Sequence, residues 1–516
     1  MNRRGFLKLS AAGAAAASIA APVLWFKRTG HAAPFGEFPA EASTALLPEA
    51  MRAQSVLEIF MYGGLSPWET VYMVEEYGTP GDPDFPNEQY YTFLGNGSDS
   101  LERALTDCSF PAGEPHGISF ATDALGADVK LGPFAHLLRQ RPDLTDRLRL
   151  LVQRHGLEPH EAAVPQALTG RPVGQPAAAG LGSHIQRYFA DRAGGGRASP
   201  FSYVFATGGI SSDNVSAAAA TGTHPGHARP LSVTITNAER FAELLDRAAV
   251  GDRGARDQYD ALMDVYVKEY ENRLRFSGRG EPVRSSRFTD LSLAVESVGN
   301  VDAISSVMDS SLFVDRPGSS CGANRSFDVP GMSLNAARHL LTHPAEPARY
   351  VCVSDIGLFE ASGGGGYDTH TGNSADTAMN FNNLMKNLAA VINEPGENDA
   401  TKLDLDRTMI ILNTEFGRTA FRQNGGSGRN HWPHGYVTAF VGGPITSAQR
   451  GIYGAIGPDS LADTYLSPAE NRIAALLALG IWPYSPEAFA VSDTPEAGTE
   501  IDAALQVTRN ALGYSL

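Results

Sequence analysis

Cysteine and tryptophan are scarce, with three of the first and four of the second in 516 residues. The spacings of Cys108, Cys321 and Cys352 match neither a zinc ribbon nor a CxxC redox pair, which excludes a sequence-readable thiolate metal centre. In an oxidising compartment one pair can close, and Cys108 and Cys321 are the better candidates because both lie in Gly/Ser/Pro-rich loops. Cys352, inside the apolar run Tyr350-Val351-Cys352-Val353, reads as a buried free thiol. Positive charge is in deficit as well. The 41 Lys and Arg against 57 Asp and Glu leave a formal charge of -16, which repels a phosphate backbone and excludes nucleic acid as a partner. Repeats and long Pro/Ser linkers are absent, which argues against a string of domains. What is present is ordinary globular composition, 42% hydrophobic and 19% charged, with strand and helix signals along the whole chain, as in one large unit.

The segment Asn2-Arg3-Arg4-Gly5-Phe6-Leu7-Lys8, followed by Ala- and Gly-rich sequence from Leu9 to Leu24, resembles a twin-arginine export signal. A membrane anchor is the alternative, but the run is short, Ala-rich and interrupted by Lys27-Arg28. Cleavage near Ala32 or Ala33 is expected. Residues 1–33 are then a signal peptide, and 34–516 form the mature protein, periplasmic or extracellular, with no stable membrane anchor after cleavage.

Near-continuous apolar runs recur at Val56 to Met61, Leu148 to Val152, Leu231 to Ile235, Tyr350 to Val353, Met409 to Leu412 and Tyr436 to Val441. Such runs suit strands buried on both faces of a mostly parallel sheet. Helical spacing appears in Phe381, Leu384, Met385, Leu388 and Ile392, within a helix expected to begin near Ala378. It appears again in Tyr259, Leu262, Met263, Tyr266 and Tyr270. The alternation predicts an α/β fold, a three-layer α/β/α sandwich, with a helical insertion near 252–345. In a sheet of this kind chemistry is expected in the loops beyond the strands' carboxyl ends.

Three such segments carry chemistry. Gly363-Gly364-Gly365-Gly366-Tyr367-Asp368-Thr369-His370 follows one strand, and an Asp and a His two apart on a glycine-rich loop can reach one cation. An Asx-turn beside a surface His is the competing reading. Thr414-Glu415-Phe416-Gly417-Arg418-Thr419 follows another strand and sets a carboxylate ligand next to an anion-binding guanidinium, or simply makes a Glu–Arg ion pair. Gly428-Arg429-Asn430-His431-Trp432-Pro433-His434-Gly435 precedes a third strand and offers one imidazole as ligand and one for acid/base work, or two loop histidines.

The order GYDTH, TEFGRT, GRNHW, with Gly451-Ile452-Tyr453-Gly454 afterwards, resembles the sulfatase-like family catalogued as domain of unknown function 1501. Met61-Tyr62-Gly63-Gly64-Leu65-Ser66 looks like that family's first strand and turn, and His160 to Gly170 like its "H…TG" segment. The resemblance implies an alkaline-phosphatase-like fold and a metal-dependent hydrolase of phosphate or sulfate esters, acting on a small-molecule or glycan ester. Asp368, His370, His431 and Glu415 are the implied ligands of a divalent metal, Zn, Mn or Ca. Arg418 would neutralise the transferring group, and His434 would donate a proton to the leaving group.

Two departures qualify this. Arylsulfatases carry a nucleophile nine residues before the Thr of Leu168-Thr169-Gly170, which here is His160, an imidazole nucleophile or a further ligand. The first strand ends without a metal-binding Asp, and only Glu69 is within reach. A non-catalytic secreted binding or assembly protein on the same fold is therefore the alternative function.

Overall fold

Stretches in which most side chains are apolar need cover on both faces, and the fold supplies it. The computed structural model describes residues 35–77, 101–173, 179–192, 202–206, 230–234, 316–358, 366–421 and 428–516, with isolated positions elsewhere. Eight strands among them form one sheet: β1 (Ser55–Met61), β2 (Leu148–Gln153), β3 (Ser202–Ala206), β4 (Leu231–Thr234), β5 (Tyr350–Asp355), β6 (Thr408–Asn413), β7 (Tyr436–Gly442) and β8 (Gly451–Tyr453). All six expected runs are strands. The two strands outside those runs are β3, SYVFA, and β8, a three-residue strand; they begin on Ser and Gly.

The sheet order is β8-β2-β7-β6-β1-β5-β3-β4. β1 lies parallel to β6 on one side and to β5 on the other, and β3 and β4 continue parallel beyond β5. β7 is reversed, antiparallel to both β6 and β2, while β8 is parallel to β2. The reversal matters for chemistry. It brings the residues before β7 to the same edge as the residues after β1, β2, β5 and β6.

Helices cover both faces: α1 (His160–Thr169), α2 (Leu181–Arg192), α3 (Val329–Leu341), α4 (Asn373–Val391), α5 (Pro468–Ala478) and α6 (Glu500–Leu512). Leu57, Ile59 and Met61 of β1 pack with Leu334 and Leu340 of α3 and Phe381, Leu384 and Leu388 of α4. The alternate residues Val56 and Phe60 pack with Val164 of α1, Ile185 of α2, Ile473 of α5 and Val507 of α6. This period-two division of one strand between two cores makes the architecture an α/β sheet between helical layers. α4 opens at Asn373, earlier than the expected Ala378. α5 is fixed at its start by a reciprocal cap, Ser467 accepting from the Glu470 N–H and Glu470 accepting from the Ser467 N–H at 2.8 Å.

A disulfide joins Cys108 to Cys321, tying the end of the helix Leu101–Asp107 to the hairpin Gly318–Ser320/Ala323–Arg325, while Cys352 is a buried free thiol. The expected signal segment, residues 1–33, lies outside the described residues, as does most of the expected insertion near 252–345 before this hairpin and α3. Of the second helical pattern only Leu262 is described, helical and solvent-exposed. No helix among the described residues is long and apolar enough to cross a membrane.

Candidate metal centre

The centre is assembled at the edge where β1, β5 and β6 end. Parallel pairing aligns Phe60 with Asn413 and Met61 with Asp355, so the turns that follow these strands emerge side by side. Gly63 in the first turn holds φ at +110°, and a side chain there would collide with the backbone of Asp368. Its bare N–H donates to Oε1 of Glu415 at 2.8 Å, and its carbonyl accepts from Arg418. The loop after β5 is drawn in by Tyr367, whose N–H donates to the Tyr62 carbonyl at 2.8 Å and whose hydroxyl donates to Asp355 at 3.0 Å. Gly428 lies so close to the carbonyl of His370 that any Cβ would overlap it. That contact locks the third segment against the first. A two-residue pairing of Gly417–Arg418 with His431–Trp432 does the same for the second.

Oδ1 of Asp368 is the hub. Nε2 of His370 lies 3.2 Å from it, Nε2 of His160 3.5 Å and Nε2 of His431 3.6 Å. The ligand atoms of His160, Asp368 and His431 fall within 4.8 Å of one another, and Nε2 of His370 is 3.0 Å from Nε2 of His431. Asp368, His370 and His431 thus converge as expected from the sequence. His160, first residue of α1, joins them, its Nε2 facing the same space.

Each imidazole is held from behind. Nδ1 of His160 meets Oε1 of Glu415 at 2.8 Å, Nδ1 of His431 meets the Glu158 carbonyl at 2.8 Å, and Nδ1 of His370 meets Oε1 of Gln423 at 2.8 Å. All three partners are acceptor oxygens, so Nδ1 of each ring carries a proton and Nε2 is the atom turned inward. Tyr62 stacks on His160 at 5.0 Å between ring centroids, and Phe416 stacks on His431 at 4.5 Å, so the rings are also fixed by packing.

The other expected residues are placed differently. Glu415 is fully buried and sits behind His160, not among the inward-facing atoms. Arg418 is also fully buried: its nitrogens donate to the carbonyls of Gly63, Gly64 and Arg429 and to Asp368, which leaves none directed to a substrate. His434 makes no contact with the cluster; its ring packs edge-on against Trp432 at 5.1 Å. Glu69, the one acid near the end of β1, is buried in an ion pair with Arg429 at 2.6 Å and accepts from Ser66 at 2.5 Å. Gln423 and the Glu158 carbonyl were not foreseen, because a lone amide in a loop and a main-chain oxygen leave no pattern in a sequence.

The charges follow from the geometry. Burial disfavours a charged His160, but Asp368 and Glu415 outweigh it and push its pKa up to about 9. Burial likewise favours the neutral acid at Asp368, yet the facing imidazoles of His160 and His431 and the Arg418 guanidinium hold it well below the usual carboxylate range. His370 is lowered, first by burial and then by Arg418, against the opposing bond from Gln423.

The family model described as protein of unknown function (DUF1501) matches residues 53–464. The chain belongs to this DUF1501 family. No curated protein and no solved structure matches it. The span matched to DUF1501 encloses β1 and every residue of the centre, while α5 and α6 follow it.

Proposed function

We propose that this DUF1501 protein is an exported, metal-dependent hydrolase of phosphate or sulfate esters on an alkaline-phosphatase-like fold. One observation carries the reading: three imidazole Nε2 atoms and a carboxylate oxygen, from loops far apart in sequence, point at one space. The donor set fits a metal. Nε2 of His160 is buried 3.5 Å from Asp368 without a well-formed hydrogen bond, and Nε2 of His370 and Nε2 of His431 face each other at 3.0 Å, a proximity that a shared cation would stabilise. His160, Asp368, His370 and His431 would hold it. A metal there would polarise an ester oxygen and acidify a water.

The chain's own residues define the rest of the reaction. Arg418 keeps Asp368 ionised and in place, and Glu415 keeps His160 turned inward. Tyr62 and Phe416 exclude water from one side of the cluster. His370, the most exposed of the four at 38% of its side chain, marks the side open to an ester. Export is supported by the twin-arginine-like segment and by the disulfide, which belongs in an oxidising compartment.

The burial of Arg418 favours the second reading, a secreted binding protein that holds a metal without turnover. Aryl phosphate and aryl sulfate panels with added Zn2+, Mn2+ or Ca2+ separate the two. Turnover abolished by Asp368→Ala is expected for the hydrolase, and metal binding without turnover on any ester overturns it.

A further inference from the structure

We propose that Glu415 is a positioning residue and not a ligand: by holding Nδ1 of His160 it commits Nε2 to the centre and completes a single nitrogen-rich donor set, selective for a zinc-class dication over Ca2+ and Mg2+. The inference rests on the metal-dependent reading above and names the class of cation that the centre takes.

Glu415 is already engaged. Oε1 accepts from the Gly63 N–H and pairs with His160, both at 2.8 Å, and Oε2 accepts from the Thr414 hydroxyl at 3.3 Å. To ligate an ion the carboxylate would have to leave the turn after β1 and release His160 to rotate. Held where it is, it does what carboxylates behind metal-binding histidines do: it sets the tautomer and makes the inward nitrogen a stronger donor. Gln423 and the Glu158 carbonyl play the same part for His370 and His431 without the charge.

The donor set then decides the ion. Ca2+ takes about 6–8 oxygen ligands, and Mg2+ requires an octahedral, oxygen-rich shell. Here a single carboxylate, Asp368, faces inward with His160 and His431, the one cluster of metal-ligating side chains among the described residues, and a third imidazole, His370, lies 3.2 Å from the same oxygen. Imidazole nitrogen suits Zn2+ and its neighbours in the transition series, including Co2+. The two other carboxylates near the centre, Glu415 and Glu69, are both turned away and buried.

The test is Co2+ titration of the metal-stripped full chain, read by visible d–d absorption, followed by displacement. One Co2+ per chain is expected, displaced by one equivalent of Zn2+ and untouched by millimolar Ca2+ or Mg2+. Asp368→Ala is expected to lose binding. Glu415→Gln is expected to keep the wild-type band positions, since no ligand has been removed, while binding Co2+ about 10–100-fold more weakly. Altered bands in Glu415→Gln, or displacement of Co2+ by Ca2+, overturn the proposal and leave a metal-dependent hydrolase standing. Absence of binding by every cation overturns both. If Glu415→Gln does not fold, Glu415→Asp reads the same bands, and the wild-type displacement decides selectivity by itself.

Discussion

Oδ1 of Asp368 is approached by a guanidinium and three imidazoles at once, and the stability of the site depends on that oxygen staying charged. Replacing Asp368 with Asn leaves the buried Arg418 guanidinium without its ion-pair partner. Removing one partner of a buried pair costs about 3–5 kcal/mol, so urea unfolding of Asp368→Asn is expected to show a loss of that order, apart from any loss of metal. An unchanged midpoint would mean that Arg418 is satisfied by its carbonyl partners alone. Asp355 behaves differently. Complete burial pushes its carboxyl up to about 7, against the opposing bonds from the Gly357 N–H and the Tyr367 hydroxyl. The folded state therefore binds this proton more tightly than the unfolded chain does. Its contribution to stability is full below the ordinary carboxylate range near pH 4 and is lost as pH rises through about 7. Asp355→Asn removes that dependence, so its melting temperature relative to wild type is expected to rise between pH 5 and pH 8. Parallel pH profiles for the two proteins would refute the assignment.

At the scale of elements, β1 is joined to α5 by charge inside the core. Glu58, in the middle of the strand and fully buried, pairs with Arg472 at 2.5 Å and accepts from the Tyr350 hydroxyl at 2.5 Å and the Asn413 amide at 2.9 Å. The four residues link β1, β5, β6 and α5 beneath the centre, and Asn413 in turn accepts from the N–H of Thr414, next to Glu415. Arg472→Met is expected to cost about 3–5 kcal/mol because it leaves Glu58 uncompensated, whereas adding Glu58→Gln recovers part of the loss. Denaturation of the two single variants and the double variant measures the coupling. Strictly additive losses would show that the pair is not a unit.

Across the whole molecule, the Cys108–Cys321 bond closes a sequence separation of 213 residues. The chain-entropy argument gives about 5 kcal/mol as an upper limit for a loop of that length. Reduction is expected to lower the melting temperature in wild type and to have no effect in Cys108→Ser. A reductant-independent transition in wild type would show that the bond does not contribute.

Strands and helices were legible where apolar residues run together or recur at helical spacing: six apolar runs and the Phe381–Leu388 face all lie where expected, whereas β3 and β8, which open on Ser and Gly, were not read. Of the centre, Asp368, His370 and His431 could be read from motif and spacing. The roles of His160, Glu415 and Arg418 could not, since each is a choice between facing inward, facing backward and being buried, and residue type is the same in all three cases.

The sequence by itself determined the class of fold and the chemical inventory of the centre, because hydrophobic period and residue type are local properties. Only the tertiary structure decided which carboxylate faces inward, which holds a histidine from behind and which is buried against an arginine. The physical reason is that these assignments depend on the parallel register of β1 with β5 and β6, the reversal of β7 and the close approach at Gly63, all set by contacts between segments hundreds of residues apart.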